Sequence, residues 1–326
     1  MSGQVVVVGG LGLEETVHLR RIVVDGSVDV AERASVAVGG AAAWSSAAAA
    51  ATGALSRCIA TVGSDRAGTL CRQHLARADV DVTGVLPLNG PTARLIRSTT
   101  VEGHCPERPA APPEHRFSKG EPSLLVLPGA GWAVPAAATV RALDRCEPGD
   151  VLLVEWSALA VAEQLICTAY ELDMQIVALL APYPIPPHQL DLRLVDVAVV
   201  DRQGAMLLAE TGELPPSLCV TLPGHGLSWD GQTYVAPSVD HRTADRIISD
   251  ERGHAVLAGT IAGRLACGDD RPQAAQAALA AVGELVAAPD DPGRTDADSA
   301  ASDPGGAPWQ TLRPWTHLRL DVEELG

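Results

Sequence analysis

The sequence lacks the cysteine spacing of a metal site or of a disulfide framework. Its seven cysteines are scattered along the chain, their number is odd, and no two of them form a C-x-x-C pair. Zinc sites and disulfide scaffolds both need regularly spaced cysteines, so neither is indicated. Isolated cysteines usually act as small buried hydrophobic side chains in a reducing compartment, and we therefore expect a cytoplasmic protein.

Positive charge is also scarce. The chain has 24 Lys and Arg residues against 40 Asp and Glu residues, which gives a formal net charge of −16. Such a chain repels phosphate backbones and anionic lipids, so we expect no nucleic-acid partner and no membrane partner. The first residues lack the basic and apolar segments of a signal peptide. The longest apolar run, residues 41–54, is interrupted by polar residues and is too short to span a bilayer.

Apolar residues are abundant by contrast, and their pattern alternates between two periods. They make up 47% of the 326 residues, which suits one large α/β domain or two small ones. Short apolar runs typical of buried strands alternate with stretches of helical periodicity, and this predicts a mostly parallel sheet with helices on both faces. The predicted strands are residues 4–8, 58–62, 124–127, 151–154, 175–180, 195–200 and 218–222, and the predicted helices are residues 43–52, 68–77, 134–143, 161–172, 204–210, 253–266 and 272–288.

A hairpin is predicted between the first strand and the first helix. Residues 16–24 and 27–38 alternate apolar and polar side chains, and the Asp25-Gly26 pair between them is a hairpin turn signal. A half-exposed hairpin at this place predicts a small β lid that stands off the main sheet. Residues 92–101 are a further candidate lid strand, and the Pro-rich residues 102–122 are predicted to be a loop.

The C-terminal part of the chain differs in composition from the rest. Residues 289–307 contain Asp, Pro, Gly, Ser and Ala but no aromatic residue, which predicts a disordered linker between a domain over residues 1–288 and a tail. The tail, residues 308–326, contains two tryptophans. Because exposed tryptophans are costly in water, the tail is expected either to dock back on the domain or to bind a protein partner.

A glycine pair marks the strongest candidate site. Gly39 and Gly40 end a β-rich segment and come directly before an alanine-rich helix, so backbone N–H groups and a close backbone approach are available to a small polar ligand. Residues 38–54 resemble, without a gap, the first signature of the ribokinase/PfkB family of carbohydrate kinases, G-G-x-G-A-N-x-A-x-x-A-A-x-L-G-A. In this register Ala42 replaces the second motif glycine, and Trp44 replaces the asparagine that holds sugar hydroxyls.

Three further segments resemble the same family in the same order. Residues 62–68 match its V-G-x-D-x-x-G motif, and residues 75–85 match L-x-x-x-G-V-D-x-x-x-V with Asp79 in place of the glycine. Residues 221–226 resemble its nucleotide-site loop T-L-G-x-x-G, with a proline for the first glycine, so the resemblance implies nucleotide contacts at Thr221, Gly224 and Gly226.

The resemblance covers residues 4–288 and implies a ribokinase-like three-layer sandwich with a mostly parallel central sheet and a small β lid. The lid would comprise about residues 14–38 and 92–119. An active member of the family would use ATP and Mg²⁺ to phosphorylate a sugar or nucleoside, and lids of this family often build a homodimer.

Two of the family's functional motifs have other residues in this chain. Where the family has N-x-D, whose aspartate binds sugar hydroxyls, this chain has Gly12 and Glu14. Glu14 either accepts hydrogen bonds from a substrate or is a solvated glutamate at the lid base. Where the family has N-x-x-E, which organises magnesium and phosphate, this chain has Asp201 and Gly204. Asp201 either binds a metal through water or caps a helix.

The second signature, D-T-T-G-A-G-D, is altered most. In the ungapped register it reads as residues 249–255, which puts Ala255 in the position of the catalytic base and puts Arg252 and His254 in place of the glycines of the anion hole around Gly253. A gapped alternative puts Asp245 in the position of the base.

Two of these replacements allow more than one interpretation. His254 is either a substitute base or a histidine that is solvated or bonded to the backbone. Arg252 either holds an anion or pairs with Glu251 or Asp250.

These alterations lead to three hypotheses. The first is a non-catalytic family member that serves in binding, regulation or scaffolding, with Trp44 projecting into the cleft so that Trp44→Asn leaves the fold intact. The second is an active sugar or nucleoside kinase that uses Glu14, Asp201, and Asp245 or His254. The third is a structural protein that forms a dimer through its lid and recruits a partner through its tail.

Overall fold

The structure is a computed structural model, and its elements alternate between strands and helices for most of the chain. It describes residues 3–19, 28, 30–100, 123–130, 134, 136–182, 190–212, 214–222, 224–235, 250–287 and 318. The strands are β1 (Gln4–Val8), β2 (Gly12–Leu19), β3 (Arg33–Gly39), β4 (Leu55–Gly63), β5 (Val80–Leu88), β6 (Ala93–Thr100), β7 (Ser123–Leu127), β8 (Val151–Glu155), β9 (Gln175–Leu179), β10 (Val197–Val200), β11 (Leu218–Leu222), β12 (Gly226–Trp229) and β13 (Gln232–Tyr234). The helices are α1 (Ala41–Ala51), α2 (Arg66–Arg77), α3 (Ala136–Ala142), α4 (Leu159–Glu171), α5 (Arg202–Thr211), α6 (Glu251–Ala266) and α7 (Arg271–Ala287).

The strands form two sheets. The nine-stranded sheet has the order β13-β12-β11-β10-β9-β8-β1-β4-β5, in which only the pairs that involve β12 and β13 are antiparallel. The four-stranded sheet has the order β3-β2-β6-β7 and forms the lid. Within it β2 pairs antiparallel with β3, as the hairpin pattern predicts, and parallel with β6.

The alternating burial of β1 explains the three layers of the domain. Val5 and Val7 belong to one hydrophobic cluster, while Val6 and Val8 belong to a second cluster. Because successive side chains of a strand point to opposite faces, both faces of the sheet are buried. The first cluster contains residues of α1, α6 and α7, and the second contains residues of α4. The predicted α/β sandwich is therefore confirmed.

Small residues allow α1 and α6 to cross closely. A Cβ atom on Gly259 of α6 would overlap the backbone of Ser45 in α1. The Ser45 hydroxyl also donates a hydrogen bond to the Ala255 carbonyl at 2.9 Å. This contact anchors the N-terminal half of α6 against α1.

Some sequence-based expectations about the fold are wrong or incomplete. Residues 124–127 lie in β7 of the lid, not in the main sheet. The strands β5, β12 and β13 were not predicted. The Asp25-Gly26 turn, the loop at residues 102–122 and the linker at residues 289–307 fall outside the described residues.

One residue of the C-terminal tail packs against the domain. Leu318 of the tail is fully buried and belongs to the first hydrophobic cluster. Of the helices in the described part of the chain, none combines the length and the hydropathy that crossing a bilayer requires.

Candidate functional site

Five charged residues meet where the lid approaches the N-terminus of α6. Glu14 lies on β2, Arg97 lies on β6, and Asp250, Glu251 and Arg252 begin α6. We call these five residues the ion-pair cluster. Its members come from three parts of the sequence, and the pairing of β2 with β6 brings the first two side by side.

Glu14 is the centre of the cluster. Its Oε1 atom accepts hydrogen bonds from Nε of Arg97 at 2.5 Å and from Nε of Arg252 at 2.9 Å. The side chain of Glu14 is 1% exposed. Although burial raises the pKa of this carboxyl group, the two guanidinium groups lower it to about 2. Glu14 is therefore a buried carboxylate, and the expectation of a solvated glutamate at the lid base is wrong.

Arg252 does not pair with its neighbours in sequence. Among the described residues, the ion-pair partner of its guanidinium group is Glu14, at 2.8 Å, and its Nη2 atom also donates to the Thr16 hydroxyl at 2.7 Å. Of the two alternatives for Arg252, pairing with Glu251 or Asp250 is therefore contradicted. The reason is geometric, because the helix start faces the lid and a buried carboxylate is available there.

Arg97 connects the lid to the first turn of α6. Its Nη1 atom lies 2.8 Å from Oδ2 of Asp250, whereas its Nη2 atom lies 3.8 Å from Oε2 of Glu251, which is too far for a hydrogen bond. Neither carboxyl oxygen of Glu251 has a hydrogen-bond partner among the described residues. Burial, together with the negative charge of Glu14, raises the pKa of Glu251 to about 8.

Trp44 packs against the same cluster. Its Nε1 atom lies 3.4 Å from Oε2 of Glu14, and the guanidinium carbon of Arg252 lies 5.2 Å from the centre of its ring. The side chain is 5% exposed and belongs to the first hydrophobic cluster. Trp44 therefore combines a cation–π contact with a place in the core, and this placement predicts that Trp44→Asn is costly, contrary to the expectation that it leaves the fold intact.

The glycine pair is used for packing within the chain. Gly40 has a φ of 91° and forms the N-cap of α1, and a Cβ atom there would overlap the carbonyl of Gly10. A Cβ atom on Gly39 would overlap the side chain of Glu14. Both glycines lie beside the ion-pair cluster, and Gly39 provides the space that Glu14 occupies.

Glu155 is a candidate functional residue that the sequence reasoning missed. It ends β8, is 1% exposed, and accepts hydrogen bonds at Oε1 from the backbone N–H of Gly10 and, at 2.6 Å, from the hydroxyl of Ser157. Its Oε2 atom has no partner among the described residues. Burial raises its pKa to about 7. The sequence signal that could have indicated Glu155 is a carboxylate directly after the apolar run V-L-L-V, at the end of a buried strand.

His254 is held between two elements. Its Nδ1 atom lies 2.8 Å from the Asp250 carbonyl, which can only accept, so Nδ1 carries the proton. Its Nε2 atom lies 2.9 Å from the Thr221 hydroxyl. The ring is fully buried, and burial lowers its pKa. His254 was expected to be either a substitute base or a histidine that is solvated or bonded to the backbone. The geometry favours a histidine bonded to the backbone, but its ring is buried and not solvated.

Of the residues expected to contact a nucleotide, Thr221 lies in β11, Gly226 begins β12, and Gly224 lies in the turn before it. The Thr221 hydroxyl also lies 3.3 Å from the Val200 carbonyl. Gly224 and Gly226 have φ values of 70° and 105°, which only glycine adopts easily. Asp201 accepts a hydrogen bond from the Gly204 N–H at 2.6 Å and caps α5, as its second interpretation suggests.

The described start of α6 lacks part of what a transferring phosphoryl group and its magnesium ion would need. The side chain of Asp250 already occupies the N–H group of Arg252 in the first turn. Gly253 and Ala255 are buried within the helix. Within the described ranges, no three His, Cys, Asp or Glu residues are grouped to hold a metal ion. The gapped candidate base, Asp245, lies outside those ranges.

Comparison with known proteins identifies the fold. No family model matches the sequence, and no curated protein matches it. The chain is similar to the solved structure of a ribokinase from Cryptococcus neoformans in complex with ADP, at 18% identity and a TM-score of 0.68, covering 87% of this chain and 94% of that one. It is also similar to an Arabidopsis thaliana ribokinase complexed with ribose and ATP, at 15% identity and a TM-score of 0.66, covering 88% and 93%.

The structure of an adenosine kinase is similar to the same degree. An adenosine kinase from Sinorhizobium meliloti matches at 15% identity with a TM-score of 0.66, covering 88% of this chain and 94% of that one. The chain therefore has the ribokinase-like fold, which carbohydrate and nucleoside kinases share. At these identities the likeness extends to the fold alone.

Proposed function

We propose that this chain is a ribokinase-like protein without phosphotransferase activity, which acts by binding a small polar ligand or another protein. The observation that carries the proposal is the ion-pair cluster. Glu14, the residue aligned with a substrate-binding aspartate, is neutralised by Arg97 and Arg252 of its own chain. Its Oε1 atom accepts from both guanidinium groups, its Oε2 atom faces Nε1 of Trp44 at 3.4 Å, and the side chain is 1% exposed, so in our proposal it is closed to substrate hydroxyls.

The same cluster also engages Arg252, which stands in place of a glycine of the family's anion hole. Phosphoryl transfer depends on positioned donors that stabilise developing charge, and on a base that takes the hydroxyl proton. Here Arg252 is turned toward Glu14 and Trp44, and the aligned base position is Ala255. Loss of a general base alone costs ~10²–10⁴ in rate, and loss of the phosphate donors adds to that cost.

The experiment is a search for product. The full chain is incubated with ATP, Mg²⁺ and a panel of sugars and nucleosides, and phosphorylated product is detected by mass spectrometry, while calorimetry measures ATP binding separately. We expect no product from any substrate, whether or not ATP binds. Product from any member of the panel would overturn the proposal.

One observation favours a second candidate function, an active sugar or nucleoside kinase. Glu155 has a free, buried carboxyl oxygen and a pKa raised by burial to about 7, which suits a general base near neutral pH. It lies beside Gly10, whose carbonyl approaches Gly40 at the start of α1. In this candidate Glu155, and not Asp245 or His254, would take the proton of the substrate hydroxyl.

A further inference from the structure

A cavity beside the middle of β4 is lined by none of the residues of the ion-pair cluster. It has a volume of about 490 Å³ and opens between β4, β5 and the region of α3. Its size falls in the range of small-molecule sites in proteins. Arg57 and Ile59 of β4 form part of its wall, and Arg141 of α3 and Arg145 also line it.

A bulge shapes the floor of this cavity. Arg57 pairs with Asp81 and Ile59 pairs with Gly84, so two residues of β5 stand opposite a single residue of β4. A Cβ atom on Gly84 would overlap the side chain of Ile59. The bulge and the glycine therefore bend the edge of the sheet locally and leave an apolar floor, to which Leu86 also contributes.

The described lining of the cavity is rich in arginine, although acidic residues outnumber basic ones by 40 to 24 in the chain. Among the described residues, those that line the cavity include three arginines and no carboxylate, and one of the three, Arg57, is paired with Asp81 of β5. Arg57 is held in place by Asp81, at 2.9 Å, and by the Ala142 carbonyl, at 3.2 Å. Arg141 and Arg145 are exposed and four positions apart at the end of α3 and in the turn after it.

We infer that this cavity binds a small organic anion with an apolar body. The guanidinium groups would hold its phosphate or carboxylate group, since planar N–H forks match both, and the apolar floor would receive its body. The inference is independent of the function proposed above, because it uses none of the residues of the ion-pair cluster.

Calorimetry on the full chain tests the inference with three probes of similar shape. We expect phenyl phosphate and benzoate to bind, and neutral benzyl alcohol not to bind at the same concentrations. The stronger of the two anions identifies the head group, and either order supports the inference. Equal binding of benzyl alcohol would overturn it, as would no binding of either anion up to ~10 mM.

Two variants and a matched control locate the binding. Arg141→Ala and Arg145→Ala should each weaken anion binding by ~10-fold or more, because each removes a charged donor. Arg72→Ala should not change it, because Arg72 is an exposed arginine of α2 outside the cavity. A thermal melt of each variant checks the fold. If the two cavity variants behave like Arg72→Ala, the anion binds elsewhere and the inference fails.

Discussion

The carboxylate of Glu14 lies 2.8 Å from the guanidinium group of Arg252, although 238 positions separate the two residues in the sequence. The contact joins the lid strand β2 to the first turn of α6. Arg97 adds a second guanidinium group on the other side of Glu14 and extends the contact to Asp250. The base of the lid and the first turn of α6 are therefore held together by ion pairs.

Removal of this buried carboxylate should be costly. Glu14→Gln leaves two guanidinium groups without their shared partner, and breaking a buried ion pair on one side typically costs about 3–5 kcal/mol. Urea denaturation measures the change in the free energy of unfolding.

The neighbouring glutamate is the matched control. Glu15 pairs with Arg94 at 3.1 Å at the surface, where the two side chains are 34% and 57% exposed, so Glu15→Gln should cost less than about 1 kcal/mol. Similar costs for the two variants would contradict the central role of Glu14.

The stability of the protein should fall as pH rises from about 6.5, above which the opposing contribution of the buried His254 no longer changes, to about 8. Glu251 and Glu155 have pKa values raised by burial from 4.5 to about 8 and about 7. Each group therefore contributes stability that is complete below pH 4.5 and lost as pH rises through its folded pKa. Urea denaturation at several pH values measures the slope.

Substitution at Glu251 should flatten that slope. Glu251→Gln removes the group that must ionise while buried, so its free energy of unfolding should decline less than that of the wild type above pH ~5. Glu163→Gln is the control, because Glu163 is exposed on α4. An unchanged slope in Glu251→Gln would show that Glu251 is not buried as described.

Trp44 should contribute strongly to stability. Trp44→Asn removes a buried indole from the first hydrophobic cluster, and such changes cost about 3–5 kcal/mol. Trp44→Phe keeps a ring for Arg252 and loses only the contact of Nε1 with Glu14, so it should cost less. If both variants lower the free energy of unfolding equally and only slightly, Trp44 lies in an open cleft and not in the core.

A homodimer through the lid remains a prediction, and β7 offers a way to test it. β7 is an edge strand of the lid sheet, and Leu125 and Leu127 are 57% and 46% exposed. Light scattering should report a dimer that Leu125→Asp with Leu127→Asp converts to a monomer. Leu55→Asp, at an exposed leucine of β4, should leave the dimer intact. A wild-type monomer would refute the prediction.

The fold was largely predictable because its signals are local. The β-branched run of β1 and the glycine pair before the alanine-rich α1 define both elements from adjacent residues. The strand β5 was missed because Thr83, Gly84 and Pro87 interrupt its apolar pattern, and β13 has only three residues. Residues 124–127 were assigned to the wrong sheet because an apolar run does not specify which sheet it joins.

Individual residues of the site could be predicted from the sequence, but the contacts between them could not. Alignment with the family signatures singled out Glu14, Trp44 and Arg252, but their mutual contact depends on tertiary packing. Arg97 was missed because an arginine in an alternating strand normally faces solvent. The role of Asp201 was easier to predict, because an aspartate directly before the first residue of a helix is a typical N-cap.

The most direct test of the account is the pH profile of phosphoryl transfer by the wild-type chain. With ATP, Mg²⁺ and the sugar and nucleoside panel, we expect no phosphorylated product at any pH between ~5 and ~9, because Glu14 and Arg252 neutralise each other and Ala255 stands where the base would be. A rate that rises through pH ~7, the region in which Glu155 titrates, and that disappears in Glu155→Gln would contradict the account and establish an active kinase.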